Sequence, residues 1–185
     1  MLNLFKKEVY KTYIKRIVDF FLSLFGLIIL SPVLLVVIVL LAIANSGKPF
    51  FFQKRPGKNG KLFTIIKFKT MNDKRDDKGE LLPSMDRITP LGAVIRKYSL
   101  DELPQLINVF KGDMSLVGPR PERSYYIHQI TTTHPHYKYL HKVKPGLTSW
   151  GMVQYGYAEN VDQMIDRMKY DLLYIENCYL ALDIK

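Results

Sequence analysis

At 185 residues, 48% of them apolar, the chain has material for one domain with a sizeable core. A lone cysteine, Cys178, excludes an internal disulfide and any multi-cysteine metal site, and fits a reducing compartment. The net charge of +10 is concentrated in residues 1–70, which carry twelve Lys/Arg against Glu8 and Asp19, while residues 71–185 are neutral. That excess brackets an apolar segment instead of tracking a groove or recognition helix, which argues against nucleic acid as a partner.

The apolar segment reads IVDFFLSLFGLIILSPVLLVVIVLLAIA from Ile17 to Ala44, with Asp19 its only charge. It is too long for a signal peptide and long enough for a transmembrane helix. Lys6, Lys7, Lys11, Lys15 and Arg16 precede it; Lys48, Lys54, Arg55, Lys58, Lys61, Lys67 and Lys69 follow it. A simple span would put one basic flank on each side of the membrane, against the preference of Lys and Arg for the cytoplasmic side. Ser31-Pro32 at its middle offers a break: proline removes a helix hydrogen bond, and the Ser31 hydroxyl can satisfy the freed carbonyl. The expectation is a re-entrant helix-hairpin broken at Ser31 and Pro32, with a kinked span as the alternative. Arg55 and the neighbouring lysines are then expected at anionic lipid headgroups.

PFFFQKRPGKNGKLFTIIKFKTM, Pro49 to Met71, sets apolar and aromatic runs on either side of the turn PGKNG and predicts a short β-hairpin. Asn72 to Pro83 is polar and reads as a surface loop. Thr89-Pro90 predicts a helix start, with Leu91, Val94 and Ile95 as its apolar stripe. A second helix is expected from Ser99 to Lys111-Gly112, burying Leu103, Leu106, Ile107 and Phe110. Gly118-Pro119-Arg120-Pro121 is a rigid turn with one outward arginine. Helix resumes after Glu122, and Asp162 to Asn177 reads as a final amphipathic helix. The fold class is therefore mainly α with a small β-hairpin (α+β). Residues 1–47 are expected to form the basic N-terminus and membrane helix, and residues 48–185 a domain seated on the membrane surface. His134, His136 and His141 lack the spacing and partners of a zinc site.

SLDELPQ, Ser99 to Gln105, is the stretch that carries chemistry. Ser99 and Glu102 have the spacing of a capping box, which leaves Asp101 unexplained. A carboxylate nucleophile can form an acyl phosphate and split a difficult transfer into two steps. A helix start also presents N–H groups to phosphate. Glu102 cannot easily cap a helix and hold a metal at once.

DRITPLGAVIRKYSLDELPQLINVFKGDMSLVGPRPE, Asp86 to Glu122, resembles the signature block of the bacterial sugar transferases, the monotopic phosphoglycosyl transferases. The likeness extends to the Ser-Pro-broken segment, to QKRPGKNGKLFTIIKFKTM and to KPGLTSWGMVQ, in the same order. The resemblance implies transfer of a sugar-1-phosphate from a UDP-sugar to polyprenyl (undecaprenyl) phosphate, with release of UMP. It places the enzyme on the cytoplasmic face of the bacterial inner membrane, as the first membrane step of surface-glycan synthesis. It makes Asp101 the nucleophile of a covalent phosphosugar-aspartyl intermediate and Glu102 a ligand of Mg²⁺. By family position, Lys67, Arg96 and Arg120 are expected around the diphosphate. For Lys67 the alternative is a solvent-facing strand lysine, and for Arg96 a surface partner of the carboxylates.

The chain departs from the family pattern at Lys69, where many relatives carry arginine, and at Gln154-Tyr155-Gly156-Tyr157, which replaces an Asn-Gly-Arg commonly assigned to the nucleotide. Tyr155 or Tyr157 is then expected either to stack on a base or to pack. Asp171 matches a family aspartate, with a solvent-facing helical carboxylate as the alternative. The chain stops at Asp183-Ile184-Lys185, short of where many relatives end. Rival readings are a non-catalytic membrane-surface scaffold and a hydrolase acting on nucleotide sugars. The phospholipid membrane is an expected partner, and a homodimer is compatible with the sequence. The sugar cannot be read from it.

Overall fold

The computed structural model describes residues 9–184. The basic pair Lys6 and Lys7 lies outside them. A π-helical turn, Tyr10–Ile14, leads into α1, Lys15–Ala44. By length and composition α1 could cross a membrane. Pro32 sits inside it, and the Ser31 hydroxyl donates to Ile28 O at 2.7 Å. Ile28 O is the carbonyl that a proline at position 32 leaves without its i→i−4 donor.

One stripe of α1 faces the rest of the molecule on both sides of Pro32. Asp19, Ser23, Val37 and Leu41 are buried, while Phe21, Phe25, Ile28, Leu35 and Ile43 are exposed. Before Pro32, Phe20 stacks on Phe110 at 4.9 Å between centroids, and Gly26 lies against Leu106. After it, Val37 and Leu41 form a core with Phe68 and Ile95. The same domain therefore touches both halves of the helix. Asp19 accepts from the Ser115 hydroxyl at 2.6 Å and from Leu116 N at 3.1 Å. Arg16 donates to the carbonyls of Val109 and Phe110, a cationic cap on the end of a helix.

β1 (Phe50–Pro56) and β2 (Leu62–Phe68) form the expected antiparallel hairpin, with Phe50 opposite Phe68 and Pro56 opposite Leu62. Its turn places Asn59 and Gly60 at φ 56° and 74°, the left-handed region that Asn and Gly tolerate best. α2 (Pro90–Lys97) begins as the sequence predicts, Thr89 Oγ1 accepting from Gly92 N at 3.0 Å. Of its expected stripe, Leu91 and Ile95 pack into the core that holds Val37, but Val94 is exposed.

The expected Ser99 capping box does not form. Ser99 takes a left-handed conformation, φ 54°, and its side chain caps nothing. A 3₁₀ helix spans Leu100–Gln105 and passes into α3, Leu106–Lys111, which ends at Gly112, φ 93°. Pro104 explains the tighter first turns, since it has no N–H to give an α-helical ladder. Val109, absent from the expected buried face, is fully buried with Ile65 and Met114.

β3 (Ser115–Val117) pairs in parallel with β4 (Gly146–Thr148), a pairing the sequence did not reveal. α4 (Ser124–Thr133) follows the Gly-Pro-Arg-Pro turn. α5 (Trp150–Gln154) and α6 (Val161–Asn177) follow β4. α6 buries Met164, Arg167, Met168, Asp171 and Tyr174, the 3–4 spacing of one helix face. A short α7, Leu180–Ile184, is tied back by Asp183 to Tyr10, Lys15 and Tyr174.

Candidate active site

The site forms where α3's leading 3₁₀ turn meets β2. Asn108 joins them: its Oδ1 accepts from Ile66 N at 3.1 Å and its Nδ2 donates to Thr64 O at 2.7 Å. The Asn108 side chain thus replaces a neighbouring strand and fixes where Lys67 stands relative to the Asp101-Glu102 pair. Nothing in the sequence pattern marked it.

Glu102 is held by two cations on one oxygen. Lys67 Nζ lies 2.6 Å and Arg120 NH2 3.1 Å from Glu102 Oε1. Arg120 does not point outward as the turn suggested; it comes back into the site, with its guanidinium 5.2 Å from the centre of the exposed Tyr157 ring. Burial alone would raise the Glu102 carboxyl, but Arg120 and Lys67 pull it down to about 2. Lys67 is pushed down by burial, against the pull of Glu102.

Asp101 is in the opposite condition. Burial raises it above the usual carboxylate range, only partly offset by Lys67 and Arg96. No ion pair reaches it among the described residues. Arg96 is engaged elsewhere, its Nε donating to Thr70 Oγ1 at 2.9 Å. Two adjacent carboxylates are thereby driven apart, one fixed as an anion and one left available, a pattern found where acids have separate roles.

Asp171 is neither solvent-facing nor open to the site. It is buried in α6 and accepts from Gly151 N at 2.9 Å, with the Arg120 backbone N–H and the Ser149 hydroxyl also facing it. Burial pushes it up to about 6, against those hydrogen bonds and the charge of Arg167. Its visible work is to tie α5 and the Arg120 turn to α6.

Arg55 does not take the lipid-facing place expected of it. Instead of facing lipid it is largely buried, bonded to Gln53 Oε1 at 2.7 Å and to Pro121 O at 3.2 Å. Glu122 lies 3.9 Å from Arg55 and 2.5 Å from Arg167. None of this triad was singled out by motif, because Glu122, at the edge of the quoted block, lies 67 positions from Arg55 and 45 from Arg167. Among the described residues no group of three or more His, Cys, Asp or Glu gathers as a metal cage. Two adjacent carboxylates still suit Mg²⁺, which commonly takes one or two of them and completes its shell with substrate phosphates.

Residues 10–185 match the family model described as bacterial sugar transferase. The uncharacterized sugar transferase EpsL of Bacillus subtilis (strain 168) is 41% identical over 93% of this chain and 82% of its own length. The UDP-N-acetylgalactosamine-undecaprenyl-phosphate N-acetylgalactosaminephosphotransferase of Aeromonas hydrophila is 39% identical over 93% of this chain. The UDP-glucose:undecaprenyl-phosphate glucose-1-phosphate transferase of Escherichia coli (strain K12) is 36% identical, again over 93%. This chain spans 41% and 38% of those two relatives' lengths. With the match running through α1, the hairpin, the carboxylate pair and α6, the chain belongs to the bacterial sugar transferase family.

Proposed function

We propose that the protein transfers a sugar-1-phosphate from a UDP-sugar to undecaprenyl phosphate, releasing UMP, as the first membrane step in building a surface glycan. The observation that carries this reading is the split pair: Glu102 held as an anion by Lys67 and Arg120, and Asp101 beside it without an ion partner. An Asp101 oxygen attacks the β-phosphorus of the donor. The bond from that phosphorus to the bridging oxygen breaks, and UMP leaves with the electron pair. The phosphosugar remains on Asp101 as an acyl phosphate. A polyprenyl phosphate oxygen then attacks the same phosphorus and frees the Asp101 carboxylate. Lys67, Arg120 and Arg96 supply the positive field for the diphosphate, with Arg120 offering the planar fork.

Mg²⁺ would be held by Glu102 together with substrate phosphate oxygens, and when bound it would neutralise charge on the transferring phosphates. A hydrolase leaves α1 without a role in the reaction, and a scaffold leaves the split carboxylates without one.

The membrane reading is a re-entrant, monotopic α1 seated from the cytoplasmic face. It is supported by the contacts of one domain with both halves of the helix and by the Ser31 bond to Ile28 O. Single cysteines near Lys11 and Lys58 should label from the same side; labels on opposite sides contradict it. Residues 1–47 then serve as the membrane unit and 48–185 as the catalytic one.

The activity is tested with purified protein, Mg²⁺ and a panel of UDP-sugars, with and without undecaprenyl phosphate. UMP and a lipid-linked product are expected for at least one donor, and Asp101→Asn abolishes both. Wild-type turnover by Asp101→Asn contradicts the assignment.

A further inference from the structure

Away from the carboxylate pair, the entry to α1, the turn of the β1–β2 hairpin, the loop before β4 and the end of α6 enclose a cavity of about 430 Å³. Six cations line it: Lys11, Lys15 and Arg16 from the helix entry, Lys58 from the hairpin turn, and Lys142 and Lys144 from the loop. Asp19 is the one carboxylate in the wall, and its oxygens already accept from the Ser115 hydroxyl and Leu116 N. Lys15 is paired with Asp183. Among the described residues no carboxylate forms an ion pair with Lys58, Lys142 or Lys144. Arg16 bonds to two neutral carbonyls, which leave its charge uncancelled. Lys144 shows the strain of this arrangement: burial and the charges of Arg16 and Lys58 pull it below the usual lysine range, against Asp19 and Asp113. Cations gathered on a concave wall repel one another, and a bound anion offsets that repulsion.

Charge alone would suit any phosphate, but the surroundings select a lipid. Tyr13, Ile14 and Ile17, interleaved with the helix cations, are exposed apolar side chains. The same turns therefore offer ammonium groups to a headgroup and apolar surface to its acyl chains. Val143 and Ile175 continue the apolar lining. The cations stand at the entry of a helix apolar enough to cross a membrane, the level at which basic pockets take anionic headgroups. The acceptor of the proposed transfer also carries a phosphate head on an apolar tail, but the cavity is in the wrong place for it. Arg16, in its wall, bonds to the carbonyls of Val109 and Phe110. These lie roughly 15 Å from Asp101 along the 3₁₀ turn and α3, at about 2 and 1.5 Å per residue. Lys67, Asp101, Glu102 and Arg120 take no part in its lining.

We propose that this cavity binds the headgroup phosphate of an anionic phospholipid, a bilayer lipid that is neither donor nor acceptor, with Lys58, Lys142 and Lys144 as its main cations. The acyl chains lie along Tyr13 and Ile17. Because the cations come from separate elements, the bound lipid ties the hairpin turn and the β4 loop to α1, and it stabilises the folded chain by binding that state alone. The inference rests on the membrane seat of α1 and not on the transfer chemistry.

The test titrates the full chain in uncharged detergent micelles with dioleoyl phosphatidylglycerol or dioleoyl phosphatidylcholine. Bound lipid is counted by native mass spectrometry, and thermal midpoints are recorded alongside. Lys58→Gln, Lys142→Gln and Lys144→Gln are combined in one variant. Lys74→Gln, Lys78→Gln and Lys138→Gln, at exposed lysines outside the cavity, form a control of equal charge. Wild type and control should retain phosphatidylglycerol in preference to phosphatidylcholine and gain thermal stability from it. The cavity variant should lose at least about tenfold in phosphatidylglycerol affinity. Equal retention of the two lipids, or an equal loss in the control, would overturn the site. Displacement of phosphatidylglycerol by millimolar inorganic phosphate would assign the cavity to a soluble anion and overturn the lipid. Displacement by an equimolar amount of undecaprenyl phosphate would assign it to the acceptor, with the same consequence. Should the triple variant unfold, Lys58→Gln alone, on the exposed turn, decides by the same readings. Binding is read without turnover, so the result stands or falls apart from the transferase reading.

Discussion

Lys67 on β2 and Glu102 on the 3₁₀ turn meet at 2.6 Å, Nζ to Oε1, linking elements 35 positions apart. This contact, shared with Arg120, makes the two neighbouring carboxylates unequal. Glu102 is drawn down to about 2, whereas burial raises Asp101. The Lys67 charge also reaches Asp101 and pulls it down.

Lys67→Met should therefore move the acid limb of the kcat/KM profile to higher pH. Asp101 must be ionised to attack, and removing a nearby cation makes ionisation harder. Turnover at low pH falls more than turnover at high pH. A uniform loss at all pH values would mean that Lys67 acts only on the substrate.

Arg120→Ala removes one of the two cations on Glu102 and the planar fork proposed for the diphosphate. A fall in kcat of about 100-fold is expected, in line with loss of one positioned donor in a transfer site. Arg120→Lys restores charge without the fork and should recover only part of it. Steady-state kinetics with saturating donor checks both.

Asp171 gives a pH signature of its own. Its folded-state value of about 6 is above the usual carboxylate value of 3.8. The folded protein therefore holds a proton that the unfolded chain has released, and this group's contribution weakens stability as pH rises from about 4 to about 6. Above that window the contribution is level. Thermal midpoints of Asp171→Asn, compared with wild type across it, should lose this fall; parallel curves would contradict the placement of Asp171.

Asn108→Ala leaves the Ile66 N–H and the Thr64 carbonyl without their partner, and both are at the joint under the site. A stability loss of about 1–3 kcal/mol is expected, read from chemical denaturation in micelles, together with a fall in kcat because Lys67 loses its register against Glu102. Full activity in a destabilised variant would show that the joint carries stability alone.

Periodicity and turn chemistry made much of this architecture legible. The hairpin around PGKNG, the Thr89-Pro90 start and the long final helix are local features, and each formed as its own residues dictate. Asp101, Glu102, Lys67 and Arg120 were legible because they sit in motifs, and the structure brings the last three into direct contact. What stayed hidden depends on distant partners. The β3–β4 pairing joins three-residue strands about 30 positions apart, too short for an alternation to show. Asn108 reads as an ordinary polar residue on a helix. Arg55 read as a membrane lysine's neighbour because its partners, Glu122 and Pro121, are more than 60 positions away. Ser99 misled for a local reason: the capping-box spacing was present, but the chain enters the turn in a left-handed conformation that points the hydroxyl away.

A phosphosugar carried on Asp101 can be weighed: the protein is incubated with a turned-over UDP-sugar and Mg²⁺ in the absence of lipid phosphate, and the mass of the peptide containing Asp101 is measured. Covalent transfer through Asp101 predicts an added sugar-phosphate on that peptide, lost when undecaprenyl phosphate is supplied and never formed in Asp101→Asn. An unmodified peptide in a preparation that still makes lipid-linked product, with a rate unchanged in Asp101→Asn, would contradict it.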